Sequence, residues 1–192
     1  MFTRAFKIVL ITVAASLAVL IVSAQDDSET QAKIESAMSA APVSIAQDAT
    51  ILDRVRDADG KFIVLREGSN GWSCLPDSPQ TDTNDPICVD ETFLGWIYAR
   101  IAKEAPVITT AGISYQLQGG QTNSNDDPFA TEPAEDFYAT TAPIMMIIFP
   151  PGVDLSGYPA DVHGAEPFIM FGGTPYEHLM IVLGDETHES ES

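Results

Sequence analysis

Residues 88–120, CVDETFLGWIYARIAKEAPVITTAGISYQLQGG, decide how this chain folds. Asp90 is placed to cap a helix predicted over Glu91 to Ala105. Phe93, Ile97 and Ile101 recur every four residues with Leu94 and Tyr98 alongside, which gives the helix one apolar side. Glu91 in the first turn and Arg100 and Lys103 in the last match the macrodipole, and Pro106 ends the segment. Ile113, Tyr115 and Leu117 then alternate with Ser114 and Gln116, the period of a half-buried strand, closed by Gly119-Gly120.

Working outward, the chain carries more strand signals than helix signals. Lys61 to Arg66 predicts a strand with a buried Phe62-Ile63-Val64-Leu65 centre, preceded by an Asp57 to Gly60 turn. Asn70-Gly71, directly before Trp72, predicts a hairpin into a second short strand, Trp72-Ser73-Cys74. Ile144 to Phe149, Phe168 to Phe171 and His178 to Leu183 are apolar and strand-like. Ser28 to Ala40 predicts an N-terminal helix, with Ser28 and Gln31 as a capping box and Pro42 as its stop. Val43 to Leu52 carries mixed signals. The expected class is α+β: a single domain over residues 25–183, with a mostly antiparallel sheet, a central amphipathic helix and an N-terminal helix.

The two ends point to export. Arg4 and Lys7 precede an apolar run, Ile8 to Val22, that closes on Val22-Ser23-Ala24, so residues 1–24 read as a signal peptide cleaved before Gln25. The run is short for a membrane span; an uncleaved anchor is the alternative reading. Residues 184–192 form an acidic tail, expected to be disordered. All 28 acidic residues but only seven of the nine basic ones follow the signal, for a net charge of −21. Such a charge disfavours nucleic acid and anionic membrane surfaces as partners. Cys74 and Cys88 enclose a Pro/Asp/Ser/Thr-rich segment with too few Cys or His neighbours for zinc, and no Cys-x-x-Cys motif is present. An exported protein, periplasmic or extracellular, would join them as a structural disulfide.

Sites are harder to read. Asn123, Asn125 and Asp127, with Asp126 beside them, are spaced as the first EF-hand ligands. Pro128 then occupies the glycine position and Ala134 the closing glutamate position, so only an irregular Ca²⁺ loop over 121–136 is left open. His178, with Glu177 or Asp161, would serve a hydrolase if the fold united them; the other reading is a hydrogen-bonded histidine at the core edge. Metalloprotease, P-loop and nucleophile-elbow motifs are absent from the sequence. The favoured expectation is a non-catalytic domain that binds a small molecule or an envelope protein through its long polar loops. Asn70, Trp72, Tyr115, Asp126, Tyr176 and His178 are the candidate contacts, although Trp72 equally fits a core aromatic beside the cysteines.

Several segments carry a resemblance: Ile34-Glu35-Ser36-Ala37-Met38, Leu65 to Cys74, Asn84 to Glu91, Leu117-Gln118-Gly119-Gly120, Asp127 to Thr131 and Gly172 to Met180. Together they resemble a group of exported proteins of uncharacterised function, over Ile34 to Leu183. The resemblance implies export and a shared single-domain architecture, and carries no activity with it. Where the group's pattern has a Pro-His pair, this chain has Pro143-Ile144, so an activity resting on that histidine would be lost here or never belonged to the group.

Overall fold

A computed structural model describes residues 27–160 and 166–184. The signal segment 1–24, Asp161, His163 and all of the tail beyond Gly184 lie outside them. Ten strands and few helices make a compact, mostly antiparallel α+β domain. Residues 27–38 are helical (α1), and Val43–Ala46 forms a single turn (α2). Ser28 therefore lies within α1 instead of capping it. The strands are β1 (Thr50–Arg56), β2 (Phe62–Arg66), β3 (Ser73–Leu75), β4 (Ile87–Val89), β5 (Gly112–Gln116), β6 (Gly120–Thr122), β7 (Tyr138–Thr140), β8 (Ile144–Ile148), β9 (Phe168–Met170) and β10 (His178–Val182). Helix α3 spans Glu91–Ala102 between β4 and β5.

Eight strands form one sheet in the order β2-β1-β3-β4-β5-β8-β10-β9, while β6 and β7 pair separately. Every pairing is antiparallel except β1 with β3. That exception corrects the expected Asn70-Gly71 hairpin. Strand β1 sits between β2 and β3, so the 68–71 turn carries the chain over β1 to its far side. The turn lies so close that a Cβ on Gly68 would overlap the backbone of Ala49 and Thr50. Strand β2 is consequently an edge, and its expected buried centre is open: Ile63 and Val64 are 42% and 46% exposed.

Cross-strand register separates two faces. Val89, Ser114, Met146, Met180 and Phe168 are successive partners on one face, beneath α3. Cys88, Tyr115, Met145 and Ile181 are partners on the other. There, alanines 37, 40, 41, 46 and 49 pack with Ile51 and the Cys74–Cys88 disulfide. The expected phase of β5 is thus inverted: Ser114 is fully buried while Ile113 and Tyr115 are half-buried. Strands with apolar cover on both faces lose the clean alternation that marks a half-solvated sheet.

Helix α3 starts as expected, with the Asp90 carboxylate accepting from Phe93 N at 2.8 Å and from Ile113 N at 2.8 Å. It ends three residues early, because Lys103 takes a left-handed conformation (φ 58°). The buried side is also rotated from the expected one. Phe93 and Trp96 are its buried residues, whereas Ile101 is 39% exposed.

Candidate functional site

Beneath α3 lies an aromatic interior. The Trp96 ring meets Phe93, Tyr176 and His178 at centroid distances of 5.1, 5.9 and 5.4 Å. Phe171 packs 5.3 Å from His178, and Phe129 lies 5.3 Å from Tyr176. The His178 imidazole is buried, and burial pushes its pKa down to about 4, so it is neutral near pH 7. Its Nδ1 lies 3.0 Å from the Tyr176 carbonyl oxygen, which can only accept; the ring proton therefore sits on Nδ1. That leaves Nε2 as a buried lone pair without a hydrogen-bond partner, and the Nε1 of the neighbouring Trp96 ring is likewise unpartnered. The Tyr176 hydroxyl donates to the Glu104 carbonyl at 2.8 Å and ties this interior to the end of α3.

On the opposite side of α3 the surface is open. A cleft of about 560 Å³ lies between the helix and the β1–β2 turn, within the range of small-molecule sites. Arg56 and Lys61 line it from the turn, Gly95 and Tyr98 from the helix, and Ile101 and Glu104 near the helix end. The walls are held together. The Tyr98 hydroxyl accepts from Phe62 N at 3.2 Å, the two rings lie 5.3 Å apart, and the Lys61 ammonium sits 4.1 Å from the Tyr98 ring centre. The turn is fixed by Asp57, whose carboxylate accepts from Asp59 N and Lys61 N, both at 2.9 Å.

Gly95 is the unusual residue here. A glycine in a helix interior costs about 0.5–1 kcal/mol against alanine. Close approach of a neighbour or a positive φ commonly explains such a glycine, and neither holds. A Cβ built on Gly95 meets nothing within 4 Å, and its backbone is ordinary helix. The bare stretch of helix opens into the cleft.

Charge is distributed in a telling way as well. Lys33 pairs with Asp53 at 2.9 Å, and Arg54 reaches Asp85 and the Pro76 carbonyl. Arg66 caps the carbonyls of Ala46, Gln47 and Ala49, and Arg100 donates to the Pro128 carbonyl. Lys103 covers the Phe129 ring. Among the described residues the side chains of Arg56, Lys61 and Lys103 are bound neither to an acid nor to a carbonyl, Lys61 and Lys103 each covering an aromatic ring; Arg56 and Lys61 line the cleft.

The residues singled out from sequence fall into three places. Asn70, Trp72 and Tyr115 come together on the far face of the sheet, with the Trp72 and Tyr115 rings 5.7 Å apart. Asn70 is engaged by its own surroundings, donating to the Ile45 carbonyl and accepting from Trp72 N. Tyr176 and His178 belong to the interior under α3. Glu177 turns away from His178 and accepts from Gly173 N at 2.8 Å.

The 121–136 loop is the third place. Asn123 donates to the Ala130 carbonyl and Asn125 to the Ala160 carbonyl, while the Asp127 carboxylate accepts from Phe129 N. Asp126 N donates to Ser124 Oγ and to the Asp136 carboxylate. Asn123 and Asp127 serve the loop's own backbone, while Asn125 ties the loop to Ala160. Among the described residues no cluster of three or more His, Cys, Asp or Glu side chains is placed to hold a metal ion.

The cleft itself was missed from sequence. The one available signal was Gly95, a poor helix former at the centre of the clearest helix. No protein-family model matches this chain, and neither the curated proteins nor the solved structures contain a significant match to it.

Proposed function

We propose that this protein is an exported, non-catalytic domain that binds a small molecule in the cleft between α3 and the β1–β2 turn. The observation that carries the reading is Gly95: its helix accepts a stability cost where no neighbour in the fold requires it. A ligand lying against the bare helix supplies the missing close approach. The cleft lining contains no serine, threonine, cysteine or histidine, so a Ser–His or Cys–His pair is not built into it. Export is supported by the leader-like segment 1–24 and by the Cys74–Cys88 disulfide, a bond that persists in oxidising compartments.

The test is a screen by amide NMR with millimolar amino acids, organic acids, sugars and nucleosides. Shifts centred on Lys61, Gly95 and Tyr98, lost in Gly95→Leu, are expected. Leucine is a strong helix former, so that variant fills the cleft without opposing the helix. An absence of cleft shifts across the screen, or shifts that persist in Gly95→Leu, would overturn the assignment.

A further inference from the structure

We infer that the cleft's ligand is amphoteric, a free α-amino acid or short peptide with an apolar body and both a carboxylate and an ammonium group; this rests on the cleft reading above. The lining carries Arg56 and Lys61 against Asp59 and Glu104, two cations and two anions, so its formal charge is zero. Among the described residues none of the four forms an ion pair.

The charges are also arranged along the cleft. Both cations belong to the β1–β2 hairpin, at the end of β1 and the last residue of the turn, with Asp59 between them in sequence, so two cations against one anion leave this end of the lining with a net charge of +1. Glu104 lies just past α3, at the negative end of the helix dipole. A carboxylate is suited to the first end and an ammonium to the second. Between them the exposed Ile101 side chain and the bare helix at Gly95 offer apolar contact. The whole-chain charge of −19 argues against a simple anion. A simple anion approaching this protein is repelled over distance, whereas a zwitterion has no net charge for that field to act on.

The probes are L-phenylalanine and its two single-charge analogues, phenylacetate and 2-phenylethylamine, titrated by NMR at the Lys61, Gly95 and Tyr98 amides. Phenylalanine is expected to bind at least about tenfold tighter than either analogue, since each lacks one charge-assisted hydrogen bond. Arg56→Gln should weaken phenylalanine and leave phenylethylamine unchanged; Glu104→Gln should spare phenylacetate instead. Both are exposed side chains, so unchanged melting temperatures serve as the control for folding. If either analogue matches phenylalanine, the amphoteric class is overturned while the cleft stands. If none of the three moves the cleft amides, the class is overturned as well, and the broader screen decides the cleft separately.

Discussion

Within α3, Phe93 and Trp96 are driven against the sheet, while Gly95, beside Trp96 in the chain, looks out over an open cleft. The inner side is where the fold stores its stability. It holds aromatic rings at contact distance and a neutral histidine that solvent does not reach. The outer side is held by a few polar contacts, carries unpaired charges and leaves a stretch of helix bare. Burial and function pull residue choice in opposite directions. Candidate residues chosen for their chemical repertoire, His178 and Tyr176, lie on the inner side and do structural work there. Residues with little repertoire, a glycine and two cations without an acidic partner, mark the side a ligand can reach.

The sharpest way to break this contrast is to truncate one aromatic on each side. Trp96→Ala should cost about 3–5 kcal/mol, the range for removing a large buried aromatic and leaving its cavity. Tyr98→Ala, whose ring is half-buried and partnered by Phe62 and Lys61, should cost about 1–2 kcal/mol, close to the value of its ring contacts. Urea unfolding of both variants measures the difference, and equal losses would remove the distinction between the two sides.

Acid offers a second probe of the inner side. The folded pKa of His178 lies near 4, below its ordinary 6.5. Between those values the unfolded chain takes up a proton that the folded chain does not. Stability conferred by neutral His178 is therefore present above pH 6.5 and lost as the pH falls toward 4, by about 3 kcal/mol in all. Asp85, within the loop closed by the Cys74–Cys88 disulfide, acts in the opposite sense. Burial raises its carboxyl to about 6 despite Arg54 Nη2 at 3.5 Å, so protonation on acidification stabilises the fold between pH 6 and about 4. The two slopes oppose each other in the native protein. His178→Leu should unmask a stability that rises as pH falls through this window, and Asp85→Asn one that falls. Chemical denaturation at pH 7, 6, 5 and 4 reads both, and an unchanged slope in His178→Leu would show that a neutral buried His178 does not set this pH dependence.

How much of this was legible depended on sequence distance. Asp90 capping Phe93, and the turn at Asp57 to Gly60, are local events whose partners lie within a few residues, and both could be read directly. The pairing of β1 with β3 could not. Asn70-Gly71 has the chemistry of a hairpin turn, but β1, some twenty residues upstream, already occupies the place beside β2. Ser114 was assigned to solvent because serine alternates with apolar neighbours. The sheet is covered on both faces at β5, and the small side chain is what fits between Val89 and Met146. The cleft joins residues 56–61 to residues 95–107, and no periodicity within either segment encodes that meeting.

The smallest effect is the most direct test of why the outer side looks as it does. If Gly95 were merely tolerated, replacing it would bring stability and nothing else. Gly95→Ala should stabilise the protein by about 0.5–1 kcal/mol, because alanine loses less backbone freedom in a helix and its Cβ meets open space. A rise of a few degrees in melting temperature would be its signature. The same methyl group stands where a ligand must lie against the helix, so phenylalanine binding at the cleft should weaken as stability rises. A stability gain with no loss of binding would mean that the ligand does not approach α3 at Gly95. Opposite movement of the two quantities would mean that the glycine is kept for contact with something outside the fold.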